Sequence, residues 1–169
     1  MKKLIILSGI PGSGKSYFSK CVKEIKCNHV YIISSDAIRK DMLGSQRNLS
    51  KENVVWDIFY NLPKIYSLDD ECLVILDATH IKKELRLRVR NDLKGYFDEI
   101  DLISFYLPKD IASRQNKERE YPVPDYVLDS FFNEFELPDD EEKSLFSHVY
   151  VIHNAEIDRI ITDIISDSH

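Results

Sequence analysis

No stretch of this sequence is apolar for anything near the length of a membrane span, so no spanning segment is expected. A surplus of cations is missing as well: the net charge is −6 at pH 7, which argues against broad, non-specific binding to nucleic acid. Cysteine is down to three residues, Cys21, Cys27 and Cys72, with no Cys-x-x-Cys spacing. That pattern excludes a disulfide framework and a zinc site, and the three read as reduced thiols of a cytoplasmic protein. No secretory leader is expected either. The opening "MKKLIIL" imitates one, but its apolar run breaks at Ser8 and Gly9, short of the roughly 7 to 15 residues an apolar leader core needs. Glycine is scarce: of five in 169 residues, three fall at Gly9, Gly12 and Gly14.

What is present suits a globular chain. Hydrophobic residues make up 43% and charged residues 31%, and the length fits one domain over residues 1–169, large enough to bury about 70% of its unfolded surface. Charge is divided unevenly. Residues 1–95 carry a net +6 and residues 96–169 a net −12, so an anionic ligand should meet the first half.

Apolar, β-branched runs occur at "KLIILS", "HVYIIS", "CLVILD", "DLISFYL" and "HVYVIH". Runs apolar on both faces suit buried parallel strands. Between them the pattern predicts helices near 15–26, 36–43, 50–66, 82–96, 110–119, 124–133 and 155–166. In the last, Ile157, Ile160, Ile161, Ile164 and Ile165 form one stripe that reads as core. The alternation implies an α/β fold: a five-stranded, mostly parallel sheet with helices on both faces. The acidic "LPDDEEKS" at 137–144 reads as a solvated loop.

"GIPGSGKS", Gly9 to Ser16, matches G-x-x-x-x-G-K-[ST] between a strand and a helix, the context of a phosphate-binding loop. Glycines let successive N–H groups point at phosphate oxygens, and the helix N-terminus adds partial positive charge. The nucleotide contacts expected here are Gly9, Pro11, Gly12, Ser13, Gly14, Lys15, Ser16 and Tyr17, with Lys15 bridging the β- and γ-phosphates of ATP and Ser16 ligating Mg²⁺. Guanine specificity is unsupported, because Asn116-Lys117 is followed by Glu118-Arg119 and not by the x-Asp of a guanine reader. The chain is also short for a motor ATPase with its added lid domain. Small phosphotransferases remain. They need an acid on a second strand, a base beside the acceptor and a cationic lid.

Each part has a candidate. Asp77 ends the "LVILD" run, where a Mg²⁺ ligand or a substrate-orienting acid belongs, or a strand-end cap. Thr79 and His80 follow and could contact phosphate or acceptor, with His80 equally a helix-start residue. In "SSDAIRKDM", Asp36 and Arg39 share a helix face. Asp36 could take a proton from an attacking hydroxyl and Arg39 could hold an anionic group, or Asp36 could simply cap its helix. The lid, about residues 110–124, is helical and offers Arg114, Lys117 and Arg119 before Pro122. Trp56 and Tyr60 could stack on a base or pack in the core.

Together "GIPGSGKS", "SSDAIRKDM", "VILDATH", "RQNKER" and "VPDYVL" resemble, in order and spacing, the kinase domain of bacteriophage-type 5′-polynucleotide kinases and related small P-loop kinases. The resemblance covers residues 3–152. It implies transfer of the ATP γ-phosphate to a 5′-hydroxyl of RNA or DNA. It also implies Asp36 as general base, Arg39 as clamp for the phosphate beside the acceptor nucleoside, Asp77 as acceptor-orienting acid, and Arg119 as lid arginine, with Arg114 a further nucleotide contact. Two positions depart from the family pattern: Gln115 stands where an arginine is usual, and His80 where an asparagine is.

The alternatives are a kinase of a small hydroxylated metabolite, antibiotic or nucleotide-sugar, including a toxin-type kinase of a cell-wall precursor, and a non-catalytic ATP-binding switch. A polynucleotide reader should bring Arg39, Lys40, Arg47, Lys82, Lys83 and Arg86 together on one rim, whereas a metabolite kinase should close a pocket.

Overall fold

A computed structural model of the chain describes residues 1–153 and 156–166. Its elements run β1 (Lys2–Ser8), α1 (Lys15–Lys26), β2 (Val30–Ser34), α2 (Ser35–Leu43), α3 (Glu52–Tyr66), β3 (Cys72–Asp77) and α4 (Lys83–Leu93). They continue with β4 (Glu99–Phe105), α5 (Lys109–Lys117), α6 (Asp125–Glu134), α7 (Asp140–Leu145), β5 (Val149–Ile152) and α8 (Ile157–Ser166). The five strands form one sheet in the order β2-β3-β1-β4-β5. Every pairing is parallel, where the sequence supported only mostly parallel. The start of the helix expected from residue 155 lies partly outside the described residues.

Side-chain alternation splits the core. Leu4 and Ile6 of β1 face α3 and α4 with Ile33, Phe59, Val74 and Leu76. Ile5 and Leu7 face α1 and α8 with Phe18, Val22, Ile103 and the stripe Ile157, Ile160, Ile161 and Ile164. A third cluster, around Ile10, Ile81, Leu107, Ala112 and Leu128, seats α5 and α6 beside the strand ends. All three cysteines are free. Among the described residues no helix is long and apolar enough to cross a membrane.

The segment read as a solvated acidic loop is largely a helix, α7. Its start is a capping box: the Glu142 N–H donates to Asp139 Oδ1 at 3.0 Å, and the Asp139 N–H donates to Glu142 Oε2 at 3.2 Å. Glu142 is fully buried against Arg86 of α4. Lys82 pairs with Glu136, and Lys83 with Asp139 and Glu141. Half of the expected basic rim is therefore paired with Glu136 and this acidic segment. Lys82, Lys83 and Arg86 are absent from the lining of the large cavity described next.

Candidate active site

The C-terminal ends of parallel strands are where ligands gather in open α/β sheets. Here β1, β2 and β3 deliver the phosphate loop, Ser34 and Asp77 to one rim, with Ser34 paired in register to Asp77. A cavity of about 1180 Å³ opens there. Its floor is Pro11 to Tyr17, and Asp36, Arg39, Asp77 and Thr79 stand along one side. Residues 115–117, 119 and 121–127 cover it from the lid.

Gly14, at φ 102°, ends the phosphate loop as the N-cap of α1. Gly12 is fixed by two constraints at once: its φ is 81°, and an added Cβ would sit 2.7 Å from the Ala112 carbonyl oxygen and 2.9 Å from the Asn116 nitrogen. The lid helix α5 thus packs directly on the loop. Lys15 Nζ donates to the carbonyls of Gly9 and Ile10 at 2.9 and 3.0 Å. Burial pushes this ammonium down to about 8, with Asp77 and Asp36 opposing the shift and Arg119 adding to it. It remains the charged group of the loop at neutral pH.

Ser16 Oγ donates to Asp77 Oδ2 at 2.8 Å. Burial raises the Asp77 carboxyl above the usual carboxylate range, and Lys15 and Ser16 offset only part of that. A hydroxyl beside a carboxylate short of compensating charge is a set of hard oxygen donors that fits Mg²⁺. Nearby, the N-cap of α2 is Ser34, whose Oγ accepts the Ala37 N–H at 3.3 Å. That leaves Asp36 free of the capping role. Its Oδ1 accepts from Arg39 NH1 at 2.9 Å and its Oδ2 from Arg119 NH2 at 3.4 Å.

A family model described as an AAA domain matches residues 4–138. The chain belongs to this AAA-domain family of P-loop NTPases. It is 26% identical over 147 residues to Protein kti12 of Schizosaccharomyces pombe, and 28% identical over 141 residues to L-seryl-tRNA(Sec) kinase of Methanococcus maripaludis. Each match takes in 80% of this chain and 52% and 53% of the respective relative, so the chain spans about half their length. Among solved structures, Chaetomium thermophilum Kti12 in complex with ADP-AlF3 superposes with a TM-score of 0.72 at 16% identity, covering 98% of this chain and 99% of that one. A fungal RNA kinase gives 0.70 at 16% identity over 98% and 44% of the two chains. A gluconokinase of Sinorhizobium meliloti gives 0.60 at 18% identity over 99% and 98%. The shared feature is the fold, that of P-loop kinases.

Within this AAA-domain frame the remaining candidates divide. Tyr17 and Thr79 line the cavity; Gly9 does not, and its N–H donates to the Thr79 carbonyl at 2.8 Å. Arg114 is exposed on α5 and stays outside the lining, whereas Lys117 and Arg119 belong to it. Asn116 staples the lid loop: its Nδ2 donates to the Val123 carbonyl at 2.9 Å and its Oδ1 accepts the Val123 N–H at 3.1 Å. Trp56 lines the cavity with the Arg39 guanidinium 5.5 Å above its ring. Tyr60 packs inward on Phe59. Sequence reasoning missed Glu52, which accepts Arg39 Nε at 2.6 Å and NH2 at 2.8 Å. Arg39 in turn holds Glu52 below the usual carboxylate range.

His80 differs most from expectation. It neither starts a helix nor lines the cavity; it is buried at φ 38°, with Nδ1 2.8 Å from the Leu7 carbonyl and Nε2 3.2 Å from the Tyr60 hydroxyl. A carbonyl only accepts, so Nδ1 carries the proton and Nε2 accepts from Tyr60. Burial pushes the imidazole down to about 4. Unfolded, it takes up its proton near pH 6.5, so between these values the unfolded chain binds more protons and stability falls as pH falls. Denaturant unfolding at pH 7 and pH 5 should show a loss of about 2 kcal/mol that the non-titrating His80→Gln lacks. An equal loss in both proteins would remove His80 as the cause.

Proposed function

We propose that this chain is an ATP- and Mg²⁺-dependent kinase whose acceptor is a 5′-hydroxyl of RNA or DNA. The observation that carries the reading is the convergence of two pairs, Ser16–Asp77 and Asp36–Arg119, over the phosphate loop in one cavity. Loop N–H groups and Lys15 would hold the β- and γ-phosphates, and Ser16 with Asp77 would hold Mg²⁺. When bound, Mg²⁺ supplies charge neutralisation at those phosphates. Asp36 would take the proton of the acceptor hydroxyl as its oxygen bonds to the γ-phosphorus and the bond to ADP breaks. Arg119, on the lid, would meet the charge spread over the transferring oxygens.

Acceptor recognition would be short. With Lys82, Lys83 and Arg86 paired to acids, the rim suits a terminal nucleotide better than a long strand. The same shortening favours a small hydroxylated metabolite as the second reading. The name of the relative L-seryl-tRNA(Sec) kinase supports an RNA-linked hydroxyl, whereas the fold is shared alike with an RNA kinase and a gluconokinase and favours neither acceptor.

The test is transfer of labelled γ-phosphate from ATP to a 5′-hydroxyl oligonucleotide, with gluconate and free sugars as competing acceptors and Lys15→Ala as control. Label on the oligonucleotide, absent with Lys15→Ala, is the expected result. Label on a sugar alone would replace the acceptor, and ATP binding without any product would leave a nucleotide-binding switch.

A further inference from the structure

The ladder between β1 and β3 ends at the pair Ile6–Leu76. There the two chains part: β1 runs on into the phosphate loop, and β3 stops at Asp77. Three hydrogen bonds at the next residues continue to join them. The Gly9 N–H donates to the Thr79 carbonyl at 2.8 Å, and Ser8 Oγ donates to the His80 carbonyl at 2.8 Å. The third comes from a ring, with His80 Nδ1–H donating to the Leu7 carbonyl at 2.8 Å. Two of the three therefore run through His80, whose φ of 38° is uncommon outside glycine. That turn brings both its carbonyl and its ring back to β1.

The far side of the ring is held as well. Nε2 accepts from the Tyr60 hydroxyl of α3 at 3.2 Å, and burial raises that hydroxyl to about 12, so it stays a donor at neutral pH. Tyr60 thereby fixes the tautomer that donates to Leu7. It also ties the turn to the helix that shapes the rest of the site, because Glu52, Trp56 and Tyr60 stand at i, i+4 and i+8 on one face of α3. Glu52 holds Arg39, which holds Asp36, and Trp56 lines the cavity. His80 itself is buried outside that lining, so whatever it contributes passes through another residue.

We propose that His80, braced by Tyr60, is a positioning residue for the pair Ser16–Asp77: by tying the chain after β3 to the strand that feeds the phosphate loop, it sets the 2.8 Å approach of the Ser16 hydroxyl to the Asp77 carboxylate. This rests on the reading above of that pair as the donors to Mg²⁺. Without the ring bond the two donors are fixed to separate pieces of chain, and metal affinity falls, as it does when the groups behind a metal's ligands are removed. The phosphate cradle has supports of its own. Lys15 donates to the Gly9 and Ile10 carbonyls, and Gly12 packs against α5. Nucleotide binding without the metal should therefore be spared.

The experiment titrates a non-hydrolysable ATP analogue into the full chain, once with a chelator and once with saturating Mg²⁺, and reads the ratio of the two Kd values as the gain from the metal. The wild type is expected to show a clear gain, and Asp77→Asn to lose it. His80→Leu, which fills much of the space without a donor, should lower the gain about 10-fold and leave the metal-free Kd within about threefold, since the cradle is held separately. His80→Asn should recover part of the gain, because asparagine tolerates a left-handed backbone and keeps an N–H donor. Tyr60→Phe should lower it about threefold, the worth of one neutral hydrogen bond. A folded His80→Leu with the wild-type gain, or with equal losses in both titrations, overturns the assignment and makes His80 a packing residue. If that variant does not fold, an unchanged gain in Tyr60→Phe overturns it instead. A wild type without a gain, or an Asp77→Asn that keeps it, means that the Mg²⁺ reading of Ser16 and Asp77 has itself failed, and the assignment goes with it.

Discussion

Replacing Asp36 with asparagine is expected to slow phosphoryl transfer by about two to four orders of magnitude, the usual contribution of a positioned general base. Asparagine keeps the shape and one oxygen for Arg39, but its amide nitrogen cannot accept from Arg119 and the group cannot take the hydroxyl proton. The fold should barely notice: the Asp36 side chain is 44% exposed, and exposed ion pairs contribute only about 0–1 kcal/mol. ATP affinity should hold, because the lid cation Arg119 is released from its 3.4 Å contact with the carboxylate and not removed. Single-turnover transfer and a nucleotide-binding titration on the same preparation separate these effects. A variant that transfers within threefold of the wild type would show that Asp36 is an anchor for Arg39 and Arg119, and that the base lies elsewhere. The pairing itself has a consequence for the wild type. Oδ2 of the candidate base accepts from the lid arginine, so the proposed roles require Arg119 to leave that contact before Asp36 can take a proton there.

Local patterns were readable and distant partnerships were not. The strands were visible as β-branched runs, and the phosphate loop as glycines at fixed spacing before Lys15 and Ser16, because both depend on neighbours within a few residues. Asp36 and Asp77 could be placed on one rim because parallel strands end on the same side of the sheet. Glu52 carried no local signal, since its bond to Arg39 spans 13 residues and a loop. His80 stood beside Asp77 and Thr79 in sequence, yet a backbone turn at φ 38° sends its ring under β1 and away from the cavity. For α7 a signal existed: Asp139-x-x-Glu142 has capping-box spacing. The density of acids around it reads as solvation until the buried guanidinium of Arg86 is known to face it.

That guanidinium is the site of the largest expected loss of stability. Arg86 and Glu142 are both fully buried, joined at 2.7 and 3.0 Å through Nε and NH2. NH1 donates to the His80 carbonyl at 3.1 Å, and Ser8 Oγ donates to the same carbonyl at 2.8 Å. Arg86→Ala leaves the Glu142 carboxylate in the interior without its cation, which is expected to cost about 3–5 kcal/mol, a large share of the roughly 5–15 kcal/mol a domain has. Arg86→Met combined with Glu142→Leu removes both charges and should be distinctly more stable than Arg86→Ala alone, as replaced buried pairs commonly are. Urea unfolding at pH 7 of the two variants tests the stranded charge. Equal destabilisation would mean that the lost guanidinium–carboxylate hydrogen bonds, and not the unpaired carboxylate, are what the substitution costs. Ser8 is the last residue of β1 and the phosphate loop begins at the next one, so loosening the His80 carbonyl network should also weaken nucleotide binding. No residue of the acidic segment from 136 to 145 lines the cavity, so such a weakening would reach the site through the buried Arg86–Glu142 pair.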